Sequence, residues 1–192
     1  MKITETELRD VFIIEPSVYR DGRGWFYESW SERMLKKEGL EYHFVQDNHS
    51  YSADRFVLRG IHCQKGASAQ AKIVRCTRGV VVDVVVDLRK GSPTYMNWIA
   101  EELSGDNNKQ LLIPRGCGHA FLTMVEGVEF QYKADNFYDS ESDRSVRWND
   151  PDIGINWDEY LCGSAPVLSD KDRDAPMLAD SDVDFVYVER YR

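Results

Sequence analysis

Apolar and β-branched residues occur in short runs along most of the chain, and turn-forming residues separate these runs. The longest run covers residues 80–88, "VVVDVVVDL", and Gly79 separates it from the run before it. Glu126 and Gly127 form a second turn signal between two later runs. Short strands at this frequency are typical of a β-sandwich or β-barrel, not of alternating strands and helices. The predicted strands are "VFII", "GWFYESW", "KIVRC", "VVVDVVVDL", "QLLIP", "HAFLTMV" and "VEFQYKA".

One helix is predicted, in the segment "ESWSERMLKKEGL". Ser29 is placed to cap its N-terminus, and Glu32 follows three positions later, as in a capping box. Gly39 supplies the stop signal at the other end. The tail from Ser164 onward is richer in Asp and Pro, and we expect an extended or short helical segment that packs on the barrel.

The composition indicates one globular domain over residues 1–192, because 42% of the residues are hydrophobic and 30% are charged. No apolar run is long enough for a transmembrane helix, so no membrane partner is expected. The N-terminal "MKITETELRD" lacks the apolar stretch of a signal peptide, and we expect a cytoplasmic protein. The net charge of −9 argues against a general nucleic-acid-binding protein. The four cysteines form no C-x-x-C pair and are expected to be free thiols.

Two of the four histidines lie in glycine-marked, strand-like segments: His62 in "RGIHCQ" and His119 in "IPRGCGHAF". The second segment has the pattern P-x-G-x-x-H and resembles the second motif of the cupin superfamily. The first cupin motif normally supplies His-x-His and a following Glu, but here Gln64 replaces the second histidine and no Glu follows. A metal site needs three or four ligands in one geometry. We therefore expect no metal or other cofactor, and His62 remains open as the remnant of a metal site, a structural residue or a base.

Nine segments then occur in one order over nearly the whole chain, and together they resemble the dTDP-4-dehydrorhamnose 3,5-epimerase family. The resemblance implies an all-β cupin jelly-roll barrel and a cofactor-independent homodimer that acts in dTDP-L-rhamnose synthesis. The expected reaction converts dTDP-4-keto-6-deoxy-D-glucose to dTDP-4-keto-L-rhamnose by deprotonation and reprotonation at C3 and C5. The segments are "DGRGWFYESW", "FVQDNHS", "VLRGIHCQ", "AQAKIVRC", "VVDVVVDLRKGSPTY", "QLLIPRGCGHAF", "YKADNFYD", "WNDPDIGINW" and "LSDKD".

The family match implies four catalytic roles. His62 is the base, and Asp172 hydrogen-bonds it and fixes its tautomer. Tyr132 is the acid on the opposite face of the sugar, and Lys72 is the cation near the enolate oxygen. A lysine inside a barrel needs a reason or a partner, and we expect Asp83, placed on the neighbouring strand, to be that partner.

The match also implies a set of substrate-binding residues. Arg23 and Arg59 correspond to diphosphate contacts, and Tyr138 to an aromatic side chain that stacks on thymine. Phe26 and Glu28 correspond to thymidine contacts that reach into a neighbouring subunit's pocket. The full set is Arg23, Phe26, Glu28, Gln46, Asn48, Arg59, His119, Tyr138, Asp143 and Lys171.

Five residues depart from the family pattern, and we expect them to alter the pocket wall while leaving the acid, the base and the cation in place. They are Cys63, Cys117, Gly118, Ala120 and Phe137. Three alternatives stay open: a 3-epimerase or 5-epimerase of another 4-keto-6-deoxy sugar, a non-catalytic sugar-nucleotide-binding cupin, and a metal-dependent cupin oxygenase or isomerase. The sequence does not say whether the product enters O-antigen or another glycan.

Overall fold

A computed structural model describes residues 1–189, and these residues form two β-sheets that face each other. Three short α-helices accompany them: α1 (Glu32–Lys37), α2 (Asp158–Leu161) and α3 (Asp170–Arg173). The strands are β1 (Lys2–Glu5), β2 (Phe12–Glu15), β3 (Tyr19–Asp21), β4 (Gly24–Phe26), β5 (Gln46–Ser52), β6 (Leu58–Gln64), β7 (Lys72–Arg78), β8 (Val80–Asp87), β9 (Trp98–Ser104), β10 (Gln110–Ile113), β11 (Cys117–Thr123), β12 (Val128–Ala134) and β13 (Asp143–Ser145).

Strands that are distant in sequence lie side by side in both sheets. The six-stranded sheet has the order β1-β2-β10-β7-β12-β5, and the five-stranded sheet has the order β13-β6-β11-β8-β9. Strands β3 and β4 form a separate ribbon, and every strand pair is antiparallel. The predicted all-β jelly-roll barrel is therefore confirmed.

The inner core lies between the two sheets. Side chains alternate along a strand, so Val81 and Val85 of β8 face the barrel interior together with Val74 of β7. Phe121 of β11 and Phe130 of β12 stack across the interior with their ring centroids 4.2 Å apart. These apolar contacts close one part of the barrel and leave polar side chains in the rest of the interior.

A second core covers the outer face of the five-stranded sheet. Ile61, Val84 and Leu122 point outward there and pack against Trp157 and Val183 of the C-terminal part of the chain. The prediction that the tail packs on the barrel is thus confirmed. The tail carries α3, which contacts β6 of the same sheet.

A buried ionic network fixes the end of β8. The guanidinium group of Arg89 donates to both carboxylate oxygens of Asp87, at 2.8 and 2.9 Å, and to Asp10 at 3.1 Å. Ser92 also donates to Asp87, at 2.5 Å, and Arg89 lies over the ring of Tyr187, 5.0 Å from its centroid. Such a network is stable only when each buried polar group has a partner, and here it joins three distant parts of the chain.

The predicted N-terminal cap of the helix is wrong, whereas the predicted stop at Gly39 is right. The N-cap is Ser31 rather than Ser29, and its side chain makes no capping hydrogen bond. Glu32 is the first helical residue, so the predicted capping box does not form. Gly39 follows the helix at φ +75°, a left-handed conformation that glycine adopts without strain. No helix within residues 1–189 is long and apolar enough to cross a membrane.

We expect Gly60→Ala to destabilise the barrel strongly, because β6 and β11 are in close contact there. Gly60 has φ +128°, and an added Cβ would lie 2.5 Å from the Cβ of Ala120 and 2.6 Å from the carbonyl oxygen of His119. The expected loss in free energy of unfolding is about 3 kcal/mol, measured by urea denaturation. Gly22→Ala is the control, since nothing lies within 4 Å of its Cβ position. Equal stability of the two variants would contradict the close packing.

Candidate active site

Two histidines lie next to each other on the inner wall of the five-stranded sheet. His62 of β6 and His119 of β11 are directly opposite each other in the antiparallel register. Opposite residues of such a pair place their side chains on the same face. The side chain of His62 is 29% exposed and that of His119 is 9% exposed, so His62 is the more accessible of the two.

The His62 ring is paired with a buried carboxylate from the C-terminal tail. Its Nε2 lies 2.5 Å from Oδ1 of Asp172, which sits in α3. Ser169 caps this helix: its hydroxyl donates to Oδ2 of Asp172 at 2.8 Å and accepts from the Asp172 backbone N–H at 3.1 Å. The capping interaction fixes the helix and the carboxylate together.

The electrostatics of Asp172 favour the ionised carboxylate. Burial alone would raise the pKa of this carboxyl, but the hydrogen bond and charge of His62, with further bonds from Ser169 and Gly60, hold the pKa below its ordinary value. An ionised carboxylate accepts the Nε2–H of His62. The imidazole then carries its lone pair on Nδ1, and that atom is available to take a proton.

His119 is paired with Asp83, and this pair corrects one expectation. The Nε2 atom of His119 lies 2.9 Å from Oδ2 of Asp83, and both side chains are buried. Asp83 was expected to be the partner of Lys72 on a neighbouring strand. However, β7 and β8 belong to opposite sheets, so Asp83 reaches Lys72 only through longer-range electrostatics. Burial raises the pKa of Asp83, while His119 and Lys72 act to lower it.

Lys72 and Tyr132 project from the facing six-stranded sheet. The Nζ atom of Lys72 lies 5.4 Å from the centroid of the Tyr132 ring. Lys72 makes no ion pair within the described part of the chain, and burial lowers the pKa of its ammonium group. Burial also raises the pKa of the Tyr132 phenol, and the negative charge of Asp143 raises it further. The phenol therefore stays protonated at neutral pH and can act as a proton donor.

The mouth of the barrel gathers the other residues that the sequence predicts to bind substrate and that the fold brings together. Tyr138 donates its hydroxyl to Asp143 at 3.3 Å, and Lys171 donates to the same carboxylate at 2.5 Å. The Gln46 amide group donates to Oδ1 of Asn48 at 3.0 Å. The Nδ2 atom of Asn48 is buried and makes no hydrogen bond within residues 1–189. The Oδ1 atom of Asp83 is also buried and also makes none within these residues.

Arg59 lies beside this mouth. Its guanidinium group donates to the hydroxyl of Ser52 at 3.3 Å and to the carbonyl oxygen of Tyr51 at 3.2 Å. Its charge also lowers the pKa of Tyr132, which places the two side chains in the same electrostatic environment. No carboxylate neutralises Arg59 in the described residues, so its charge remains available for an anion.

Three predicted residues lie outside this cluster. Arg23 and Phe26 are on the β3–β4 ribbon and Glu28 follows it; every residue of the two strands is exposed. The ribbon is on the outer side of the six-stranded sheet, where the hydroxyl of Tyr27 accepts from Arg75 at 3.4 Å. The fold of one chain therefore does not bring these residues to its own His62.

Sequence reasoning missed two polar residues that support the site. Ser169 holds Asp172, and the pattern S-x-x-D in "SDKD" is a signal for a capping residue that could have found it. Gln64 was interpreted only as the absence of a second histidine. Its carboxamide is in fact buried and makes three hydrogen bonds to backbone groups.

The residues that depart from the family pattern mostly do not face the site. Cys63 and Ala120 pack in the outer core, and an added Cβ on Gly118 would meet Ile61 of that same layer. Cys117 belongs to the apolar inner core. The expectation that Cys63, Gly118 and Ala120 form the pocket wall is therefore wrong, because strand alternation turns these three residues away from the interior.

Within residues 1–189 the structure shows neither a metal-binding cluster nor a disulfide. No group of three or more histidine, cysteine, aspartate or glutamate side chains within residues 1–189 is arranged to hold a metal ion. All four cysteines carry free thiols, and Cys162 alone among them is exposed. Both interior histidines bond carboxylates through Nε2, a pairing that orients each ring.

The barrel, with polar side chains on its two facing walls, is of the cupin type. The model of the dTDP-4-dehydrorhamnose 3,5-epimerase family matches residues 5–180, and the chain belongs to that family. It is 47% identical over 179 residues to the dTDP-4-dehydrorhamnose 3,5-epimerase of Salmonella typhimurium, a match that covers 93% of this chain and 96% of the relative.

Solved structures agree with this assignment. A dTDP-4-dehydrorhamnose 3,5-epimerase from Bacillus anthracis, with TDP and PPi bound, is 43% identical with a TM-score of 0.87, covering 92% of this chain and 99% of that one. A dTDP-6-deoxy-D-glucose-3,5-epimerase from Legionella pneumophila, in complex with dTDP-4-keto-L-rhamnose, is 38% identical with a TM-score of 0.90 and covers 98% and 99%. The similarity extends over the whole barrel in each case.

We expect Lys72→Met to raise the stability of the protein while abolishing most of its activity. The lowered pKa means that the charged lysine costs stability at every pH below its folded pKa. The gain in free energy of unfolding is expected to be about 1 kcal/mol at pH 7 in urea denaturation. It should shrink as the pH rises through that lowered pKa, because the wild-type lysine then loses its charge.

Lys65→Met is the control for this substitution. The Nζ atom of Lys65 lies 2.5 Å from Asp182, so its loss removes a favourable ion pair instead of an unpaired buried charge. The control is expected to gain no stability. A loss of stability in Lys72→Met at pH 7, or a gain that does not change with pH, would contradict the electrostatic account.

Proposed function

We propose that the protein is a homodimeric, cofactor-independent epimerase that converts dTDP-4-keto-6-deoxy-D-glucose to dTDP-4-keto-L-rhamnose. The observation that carries this proposal is the placement of the His62–Asp172 pair on one wall of the barrel and of Lys72 and Tyr132 on the facing wall. The Legionella relative, solved with dTDP-4-keto-L-rhamnose, supports the same class of sugar.

His62 acts as the base in this reaction. Protons on C3 and C5 flank the C4 ketone and are weakly acidic, so a base can remove them when the enolate that forms is stabilised. Nδ1 of His62 takes the proton, because Nε2 is already bonded to Asp172. The buried carboxylate then stabilises the imidazolium ion that forms.

Lys72 stabilises the enolate on the C4 oxygen. Its ammonium group has no ion pair among the described residues, so its charge is free to interact with developing negative charge. Partial burial strengthens this interaction relative to water. His119, held by Asp83, contacts the sugar beside His62.

Tyr132 returns the proton from the other side. Inversion requires that the new proton arrive on the face opposite to the one that lost it. A sugar ring between the two sheets presents one face to His62 and the other to the Tyr132 phenol, whose raised pKa keeps its proton available. The same pair serves C3 and C5 when each carbon in turn lies between the two groups.

The mouth binds the nucleotide. Tyr138 is 60% exposed and offers a ring face on which a base can stack. Arg59 supplies positive charge for the diphosphate, a local attraction that must act against the net charge of −9. Asp143 with Lys171, and Gln46 with Asn48, supply the remaining polar contacts.

The β3–β4 ribbon serves the site of a second subunit. Arg23, Phe26 and Glu28 lie away from their own barrel interior, and Tyr19, Trp25 and Phe26 are each more than half exposed. Large exposed aromatic side chains on one ribbon are typical of a surface that another protein covers.

The four free thiols support a location in the reducing cytoplasm.

In D2O, the purified protein is expected to introduce deuterium at both C3 and C5 of dTDP-4-keto-6-deoxy-D-glucose, read by NMR and mass spectrometry. His62→Ala should slow the exchange by about 1,000-fold, because it removes the base. His49→Ala is the matched control, since His49 is an exposed histidine paired with Glu129. If the protein with intact His62 caused no exchange, the proposed reaction would be refuted. Exchange at C3 alone would favour a 3-epimerase.

A mixing experiment tests the second-subunit role of the ribbon. Arg23→Ala/Phe26→Ala chains and His62→Ala chains are each expected to be nearly inactive. After exchange of subunits, a mixed dimer has one site with an intact His62 and an intact ribbon from its partner. Equal mixing should therefore restore about a quarter of the wild-type activity, as expected for random pairing into twofold dimers. No restoration would mean that the ribbon serves its own barrel.

A further inference from the structure

Gln64 lies at the end of β6, two residues after His62 and therefore on the same face of the strand. Its side chain is buried, with 4% of the residue exposed. The cupin pattern would place a second histidine at this position. Gln64 does not transfer protons, because neither Nε2 nor Oε1 of its side chain is free to reach the sugar.

The carboxamide of Gln64 is fully used in binding backbone groups of two loops. Its Nε2 donates to the carbonyl oxygens of Ser68, at 2.7 Å, and Phe137, at 3.1 Å. Its Oε1 accepts from the backbone N–H of Asp139 at 2.8 Å. Both N–H groups and the carbonyl oxygen of the amide are thereby satisfied.

The residue between these two contacts is Tyr138. Its own backbone N–H donates to Oε1 of Gln46 at 3.1 Å. Two glutamine side chains, from β5 and β6, therefore hold three consecutive residues of the loop through their main-chain groups. The Asp139 carboxylate adds to this arrangement by accepting from the hydroxyls of Ser68, at 2.7 Å, and Ser142, at 2.6 Å.

The ring of Tyr138 has little other support. It is 60% exposed, and its hydroxyl makes one long hydrogen bond, 3.3 Å, to Asp143. A ring that is not packed takes its position from the backbone that carries it. The direction of the Tyr138 side chain is thus set mainly by the polar contacts of the Phe137–Asp139 backbone.

We propose that Gln64 is a positioning residue for the nucleotide: it holds the Phe137–Asp139 backbone so that Tyr138 is preorganised to stack on the base of a nucleoside diphosphate. This inference rests on the proposed function, in which Tyr138 binds the base. The chemistry selects glutamine, because Glu cannot donate to the two carbonyl oxygens and an imidazole cannot form all three bonds. Preorganisation raises affinity by lowering the entropy lost on binding.

A double-mutant cycle with dTDP as the probe tests the coupling. Gln64→Met and Tyr138→Ala are each expected to weaken dTDP binding about tenfold by isothermal titration calorimetry, as for the loss of one base stack. The double variant should bind no more weakly than Tyr138→Ala alone, because Gln64 acts through that ring. In turnover assays Gln64→Met should raise KM while leaving kcat and its pH profile close to wild type.

Thr123→Val is the matched control. Thr123 is also fully buried, and its hydroxyl bonds two backbone groups, the Val57 N–H at 2.9 Å and the Asp54 carbonyl at 2.8 Å. Its substitution should lower stability without changing the affinity for dTDP. Hydrogen–deuterium exchange of the free protein supplies a readout that needs no ligand, and only Gln64→Met should speed exchange in the peptide that covers residues 135–142.

Several results would overturn the inference. Additive losses in the double variant, unchanged exchange in residues 135–142, or a fall in kcat with KM unchanged would each show that Gln64 does not act through Tyr138. The proposed function is tested separately by wild-type turnover. If the wild-type protein bound dTDP and the cycle held, but C3 and C5 did not exchange, the reaction would be refuted and the positioning role would stand.

Discussion

Charged side chains inside a narrow β-barrel need hydrogen-bonding partners, and this constraint organises the interior of the protein. Asp172 and Asp83 each bond a histidine, and Asp87 bonds Arg89. The two histidine partnerships join residues 110 and 36 positions apart, and Arg89 extends the third to Asp10. The same bonds that neutralise buried charge therefore also hold the barrel and the tail together. Lys72 departs from the rule, and its unpaired charge coincides with the place where negative charge is proposed to develop.

Local pattern was enough to predict many elements of the fold. The run "VEFQYKA" coincides with β12, and Gly79 makes the turn between β7 and β8 at φ +81°. The cap of α1 was assigned wrongly because Ser29 and Ser31 both precede the helix, and the backbone, not composition, selects between them. The order of strands, such as β10 between β2 and β7, depends on long-range pairing that no local pattern contains.

The candidate site was predictable only through the family resemblance. His62 and Asp172 are 110 positions apart, and nothing in either segment specifies the other. Asp83 was expected to pair with Lys72, but its partner is His119 because the two sheets separate β7 from β8. Gln64 was overlooked because it bonds main-chain groups of the loop. Every residue has such groups, so the side chains of the loop do not indicate which ones Gln64 bonds.

The place of Asp172 makes the orientation of the His62 ring depend on the packing of one short helix. Asp172 lies in α3, 110 positions from His62 and outside the strands of both sheets. No strand pairing holds α3, and its position rests on the cap that Ser169 provides and on its contacts with β6. A substitution that loosens this single turn would therefore leave every strand pair in place and still remove the carboxylate that orients the ring.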